Sequence, residues 1–102
     1  MAQAKEREST TTAAAQVDTI RITLKLFALL SPYLPDGAKY NQVELEVPVG
    51  SAPTSVMASL HLPAKLCALV ILNGVFVRAA DRSTQRLVGG DVLAIWPPVA
   101  GG

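Results

Sequence analysis

The residues with the clearest chemical use in this sequence carry no side chains. They are Gly101 and Gly102, the end of the run Pro97-Pro98-Val99-Ala100-Gly101-Gly102. A strand that meets two prolines cannot extend its ladder, because proline has no N–H to donate. The segment beyond is therefore expected to project from the fold. A projecting Gly-Gly segment can thread a narrow channel in another protein and bend to fit it, since glycine reaches backbone conformations closed to other residues. The group at its tip is a carboxylate. A carboxylate is a poor electrophile and must first be activated, most simply by adenylation with ATP on a partner.

Other reactive residue types are sparse. The 102 residues include one cysteine, Cys67, and one histidine, His61. An intramolecular disulfide and a cysteine-based or multi-histidine metal site built from this chain alone are excluded. No metal and no bound cofactor are expected. Cys67 precedes an apolar run and reads as core, although Lys65 is close in sequence and a redox thiol needs such a positive neighbour. His61 reads as a solvated helix end. Arg78, Arg82 and Arg86, with Asp81, read as a mildly basic solvated loop. Nine Lys+Arg against eight Asp+Glu leave a net charge of +1, which removes bulk attraction to nucleic acid or an anionic membrane. No run reaches the roughly 18 to 20 apolar residues of a membrane span, and no apolar stretch follows Lys5 and Arg7 as in a secretory signal. A lone thiol suits a reducing compartment, so a cytoplasmic protein is expected. Carriers, binding modules and subunits remain; an enzyme with several convergent polar groups does not.

The elements that must position the terminal run can be read from periodicity. Residues 1–17 (MAQAKERESTTTAAAQV) have no apolar period and cannot offset an ordering entropy of about 1–2 kcal/mol per residue; they read as a disordered tail. The domain, 18–102, begins where Ile20, Ile22, Leu24 and Leu26 alternate with Thr19, Arg21, Thr23 and Lys25, the pattern of a half-buried strand. A turn-rich loop leads to a second alternating strand, Val43, Leu45 and Val47, and the two are expected to be antiparallel neighbours. Ser51, Pro53 and Thr54 start a short helix with Val56, Met57 and Leu60 on its apolar face and Pro63 as its stop. Ala68–Leu72 suits a central strand. Asn73-Gly74 predicts a hairpin into a short strand over 75–77. Gly89-Gly90 reads as a turn before the last strand, Val92–Trp96. The fold class is α+β, a mixed sheet of four to five strands with one main helix.

With those elements assigned, Leu69-Val70-Ile71-Leu72-Asn73-Gly74 and Gly90-Asp91 through Gly102 resemble the MoaD/ThiS family of ubiquitin-like sulfur carriers. The ending Pro-Pro-Val-Ala-Gly-Gly and the opening Lys25-Leu26-Phe27-Ala28 are most similar to the small subunit of molybdopterin synthase. The resemblance implies a β-grasp fold and a carrier mechanism. An E1-like enzyme would adenylate Gly102 with ATP, and a persulfide donor would convert it to a thiocarboxylate. A larger synthase subunit would receive the segment in molybdopterin biosynthesis. Gly102 would bear the sulfur, and Gly101, Ala100, Val99 and Pro98 would line the contact with the partner. Trp96 and Phe27 invite two readings, a partner anchor, for which aromatics are favoured, or a half-buried ring; Phe76 reads as core or docking patch. Three other uses stay open: thiamine or another sulfur-containing metabolite as acceptor, conjugation of Gly102 to a lysine, or an interaction module whose end is never activated.

Overall fold

Strict alternation of apolar and polar residues builds β1 (Thr19–Leu26), the strand around which the others assemble. Ile22, Leu24 and Leu26 are buried to one side, while Arg21, Thr23 and Lys25 face the other. The structure, a computed structural model, describes residues 18–98. Residues 1–17, read as a disordered tail, and Val99, Ala100, Gly101 and Gly102 lie outside the described residues.

β2 (Gln42–Pro48) runs antiparallel to β1, in a register from Thr19 opposite Pro48 to Lys25 opposite Gln42. That register places Val43, Leu45 and Val47 on the face that β1 buries. A short α1 (Pro53–Ser59) lays Val56 into the same core, with Pro53 at its first turn, where no donor is lost. Pro63 is not its stop. The His61 N–H donates to Ala58 O at 3.1 Å and the Leu62 N–H to Met57 O at 3.0 Å, while His61 sits at φ +59°. This is a Schellman closure with histidine where glycine is usual, and it ends the helix two residues before the proline can act.

β3 (Leu69–Leu72) and β4 (Val75–Phe76) form the expected hairpin. Asn73 and Gly74 both take positive φ, +53° and +84°, as a two-residue primed turn demands. β5 (Val92–Trp96) enters between β1 and β3. The sheet order is β2-β1-β5-β3-β4, with β1 and β5 parallel and the other pairs antiparallel. The five-stranded mixed sheet with one main helix is the α+β arrangement read from the sequence. Its core lies between the helix and one sheet face, centred on Leu24, Leu26, Leu93 and Ile95.

One side chain read as solvated is not. The Arg82 guanidinium donates to Cys67 O at 2.9 Å, to Ala68 O at 3.2 Å and, through Nε, to Val77 O at 3.2 Å. Its own carbonyl accepts from the Thr54 N–H at 3.1 Å. Arg82 thus ties the approach to β3, the exit of β4 and the first turn of α1 together. Arg78, by contrast, makes only an exposed pair with Asp81. Cys67 is buried in the core; burial pushes its thiol up, with the Arg82 charge opposing in part. Arg82→Met should therefore cost roughly 1–3 kcal/mol, because the carbonyls it serves lose a charged donor. Arg78→Ala should change stability by less than about 0.5 kcal/mol. Urea unfolding of the two variants checks the contrast.

Candidate functional site

Parallel pairing brings the ends of β1 and β5 to the same edge of the sheet. Leu26 lies opposite Ile95, so Phe27 and Trp96 come side by side. Their rings stack face to face, with centroids 3.8 Å apart and planes 8° from parallel. Such a pair contributes roughly 0.5–1.5 kcal/mol beyond its buried area. Trp96 nevertheless keeps 39% of its surface exposed.

Phe27 is held there by a clamp on the residue before it. The Leu26 N–H donates to Asn41 O at 3.0 Å. The Asn41 Nδ2 amide donates back to Leu26 O and to Ser31 Oγ, both at 3.0 Å. Asn41 can do this because it and Tyr40 form a tight turn with φ +66° and +54°, closed by reciprocal bonds between Lys39 and Gln42. Asparagine tolerates that conformation; tyrosine does so rarely, and Tyr40 is 94% exposed. Ala28, at φ +52°, then turns the chain away. Asn41 was missed by sequence reasoning. Its one signal was an asparagine in a turn-rich loop, and nothing in the sequence says which strand that loop closes upon.

The far end of β5 is anchored as firmly. Asp91 is buried and accepts from Asn73 Nδ2 at 2.9 Å and from the Val88 N–H at 2.8 Å. Asn73 Oδ1 accepts from the Val92 N–H at 2.8 Å. At the other end, the Ala68 N–H donates to Trp96 O at 3.0 Å. Beyond that bond come Pro97 and Pro98, without donors, so the ladder ends at Trp96. Among the site residues read from sequence, Phe27, Trp96 and Pro98 are gathered at this edge. Val99, Ala100, Gly101 and Gly102 lie outside the described residues.

The sheet face away from the helix is open, and it is divided. Over β2 and the start of β1 it carries charge: Arg21 pairs with Glu46 at 3.0 Å and Glu44 at 3.6 Å. Over β5, β3 and β4 it is apolar, with Ala94, Ile71 and Phe76 in one row and Trp96 and Leu69 in the next. Phe76 is 52% exposed, so it belongs to this face and not to the core. The apolar run 68–72 has one side buried and one side uncovered, where a central strand would have both covered. Among the described residues no cluster of metal-ligating side chains exists. A groove of about 420 Å³ between β2 and α1 is lined by Val47, Val49, Ser51, Ser55, Val56 and Ser59 among others, with no titratable group. Among the described residues no helix is long and apolar enough to cross a membrane.

The profile of the ThiS family matches residues 2–102. The chain belongs to the ThiS family. No curated protein matches it significantly. Among solved structures, this ThiS-family chain is similar to the HVO 2177 protein of Haloferax volcanii, with TM-score 0.66 and 26% identity over 82% of this chain and 88% of that one. SAMP1 of the same organism gives TM-score 0.58 and 23% identity over 80% and 99%. A complex of subunits 1 and 2 of the molybdopterin-converting factor from Helicobacter pylori gives 0.50 and 18% over 81% and 100%. These likenesses establish the β-grasp fold.

The clamp can be tested with the single tryptophan as reporter. Asn41→Gly keeps the positive φ but removes the amide. It should weaken the near-ultraviolet circular dichroism of Trp96 toward that of Phe27→Ala, at a stability cost of about 1 kcal/mol.

Proposed function

We propose that the chain is a sulfur carrier whose Gly102 carboxylate is activated and converted to a thiocarboxylate. The observation that carries the reading is the place where the ladder stops. A ThiS-family chain leaves the sheet at Pro97-Pro98, directly from its last strand, beside an aromatic pair and an uncovered apolar face. Three and four residues beyond Pro98 stand Gly101 and Gly102. The fold supplies a rigid base, a release point and a surface for a partner, and the residues that meet there, Phe27, Trp96, Pro97 and Pro98, carry no acid–base group.

In this reading an E1-like enzyme provides the chemistry. A carboxylate oxygen of Gly102 attacks the α-phosphorus of ATP and pyrophosphate leaves. The terminal sulfur of a persulfide then attacks the acyl carbon, and AMP departs with the C–O bond electrons. A thiol cleaves the resulting acyl disulfide at sulfur and is itself oxidised to a disulfide, releasing the thiocarboxylate. Sulfur holds the negative charge in a more polarisable form than oxygen and so attacks acceptors that a carboxylate leaves untouched. Gly101 suits a channel that would exclude a Cβ, and Phe27 and Trp96 would anchor the partner at its mouth. We further propose a molybdopterin precursor as acceptor and a larger synthase subunit as recipient of the segment. The Pro-Pro-Val-Ala-Gly-Gly ending supports this, as does the likeness to a subunit solved together with its second subunit. A cytoplasmic setting is part of the same proposal.

The protein purified from its own cells, untagged, should gain the oxygen-to-sulfur mass increment at the Gly102 carboxyl when supplied with ATP, its activating enzyme and a sulfur source. Deletion of Gly101-Gly102 should abolish that gain and leave the fold intact. An unchanged mass for the full chain would sink the carrier reading. A ladder of higher-mass species on a denaturing gel would instead indicate conjugation to lysines.

A further inference from the structure

The two halves of the open face meet at Lys25. Its register neighbours are Gln42 on β2 and Ala94 on β5, neither of them charged. Two residues along the chain in either direction stand Thr23 in β1 and Phe27 just beyond its end. Arg21, the other cation of this face, is held by two carboxylates. Lys25 enters no ion pair among the described residues. It is also only partly exposed, as a long basic side chain is when its stem packs on an apolar surface and its charged ammonium head stays in water.

An apolar surface seated on Trp96, Leu69, Ala94, Ile71 and Phe76 would take that ammonium out of water. An uncompensated buried charge is strongly unfavourable. The covering surface must therefore bring a group that accepts the charge. Among the described residues, Glu44 and Glu46 are already engaged with Arg21, so the counter-charge is assigned to the covering surface.

We propose that Lys25 is a specificity-determining residue of the docking face: it pairs with a carboxylate set within an apolar patch on the activating enzyme. The proposal rests on the carrier reading above and adds the chemistry by which the partner is chosen. A surface with the same apolar shape and no carboxylate would strand the Lys25 charge and be rejected; a surface with a cation there would be repelled. The charge is placed to select, because a pair that forms only on docking and in a dry contact discriminates more than one fixed within the free chain.

The test is steady-state adenylation of the full-length chain, followed by pyrophosphate release, with the activating enzyme and ATP. Wild type is compared with Lys25→Glu, Lys25→Met and Lys39→Glu. Lys39 is exposed in the turn beside β2 and serves as the charge control. Lys25→Glu should raise KM for the chain at least about tenfold with kcat unchanged, since a like-charge contact penalises docking and not the chemistry. Lys25→Met should raise KM less and should lose the salt dependence of the wild type. Lys39→Glu should match wild type. Circular dichroism and thermal midpoints should agree across the set, as a seam residue outside the core requires. If Lys25→Glu behaves like Lys39→Glu while wild type is adenylated, the Lys25 proposal is overturned and the carrier reading stands. If wild type is not adenylated, the carrier reading fails and this proposal fails with it.

Discussion

The parallel pairing of β1 with β5 is the constraint on which the other features depend. The two strands come from opposite ends of the described chain, and a parallel pair cannot be closed by a tight turn. Everything between them, β2, α1 and the β3–β4 hairpin, is the crossover that lets β5 return beside β1. The pairing is held from the core side by Leu24, Leu26, Leu93 and Ile95, none of which retains exposed surface. It also fixes direction. Both strands end at one edge, so Phe27 meets Trp96 and β5 passes the chain on to Pro97 and Pro98 there.

Two polar devices make that pairing unique in register. A one-residue slip of β5 would turn Leu93 and Ile95 to water. It would also break the Asp91–Asn73 link, in which both Asp91 carboxylate oxygens and Asn73 Oδ1 are filled by side-chain or backbone donors. At the opposite end, Asn41 caps the strand to which β5 is matched. Arg82 performs a related service for β3, gathering carbonyls just outside the ladder. Such bonds are specific because they close only in one register, and Asp91, which is buried, is costly when left unpaired.

The strands, the Asn73-Gly74 hairpin and the core residues were legible in the sequence because local periodicity and turn chemistry determine them. The Schellman closure at His61 was not, since histidine gives no local sign that it will adopt positive φ. Asn41 and Arg82 were not, because their partners are distant in sequence and the bonds exist only once the sheet has formed. The apolar stretch 68–72 was legible as a strand, but periodicity could not distinguish a side buried by this chain from a side left for another. The stacking of Phe27 on Trp96 follows from strand direction, which alternation does not encode. The glycines at the end carried the functional reading through residue type alone.

The position of β5 has a mechanical consequence. It is an interior strand, bonded to β1 on one side and β3 on the other, and it is the last element among the described residues. A force applied to the chain beyond Pro98 enters the fold at Trp96, in line with a strand whose ladders flank it on both sides. Those bonds are loaded together in shear, and none can be peeled singly from an edge. Such loading resists extraction far better than unzipping of the two-residue β4 would. A partner that pulled on the chain beyond Pro98, as the proposed function asks of it, would meet a domain built to keep its shape.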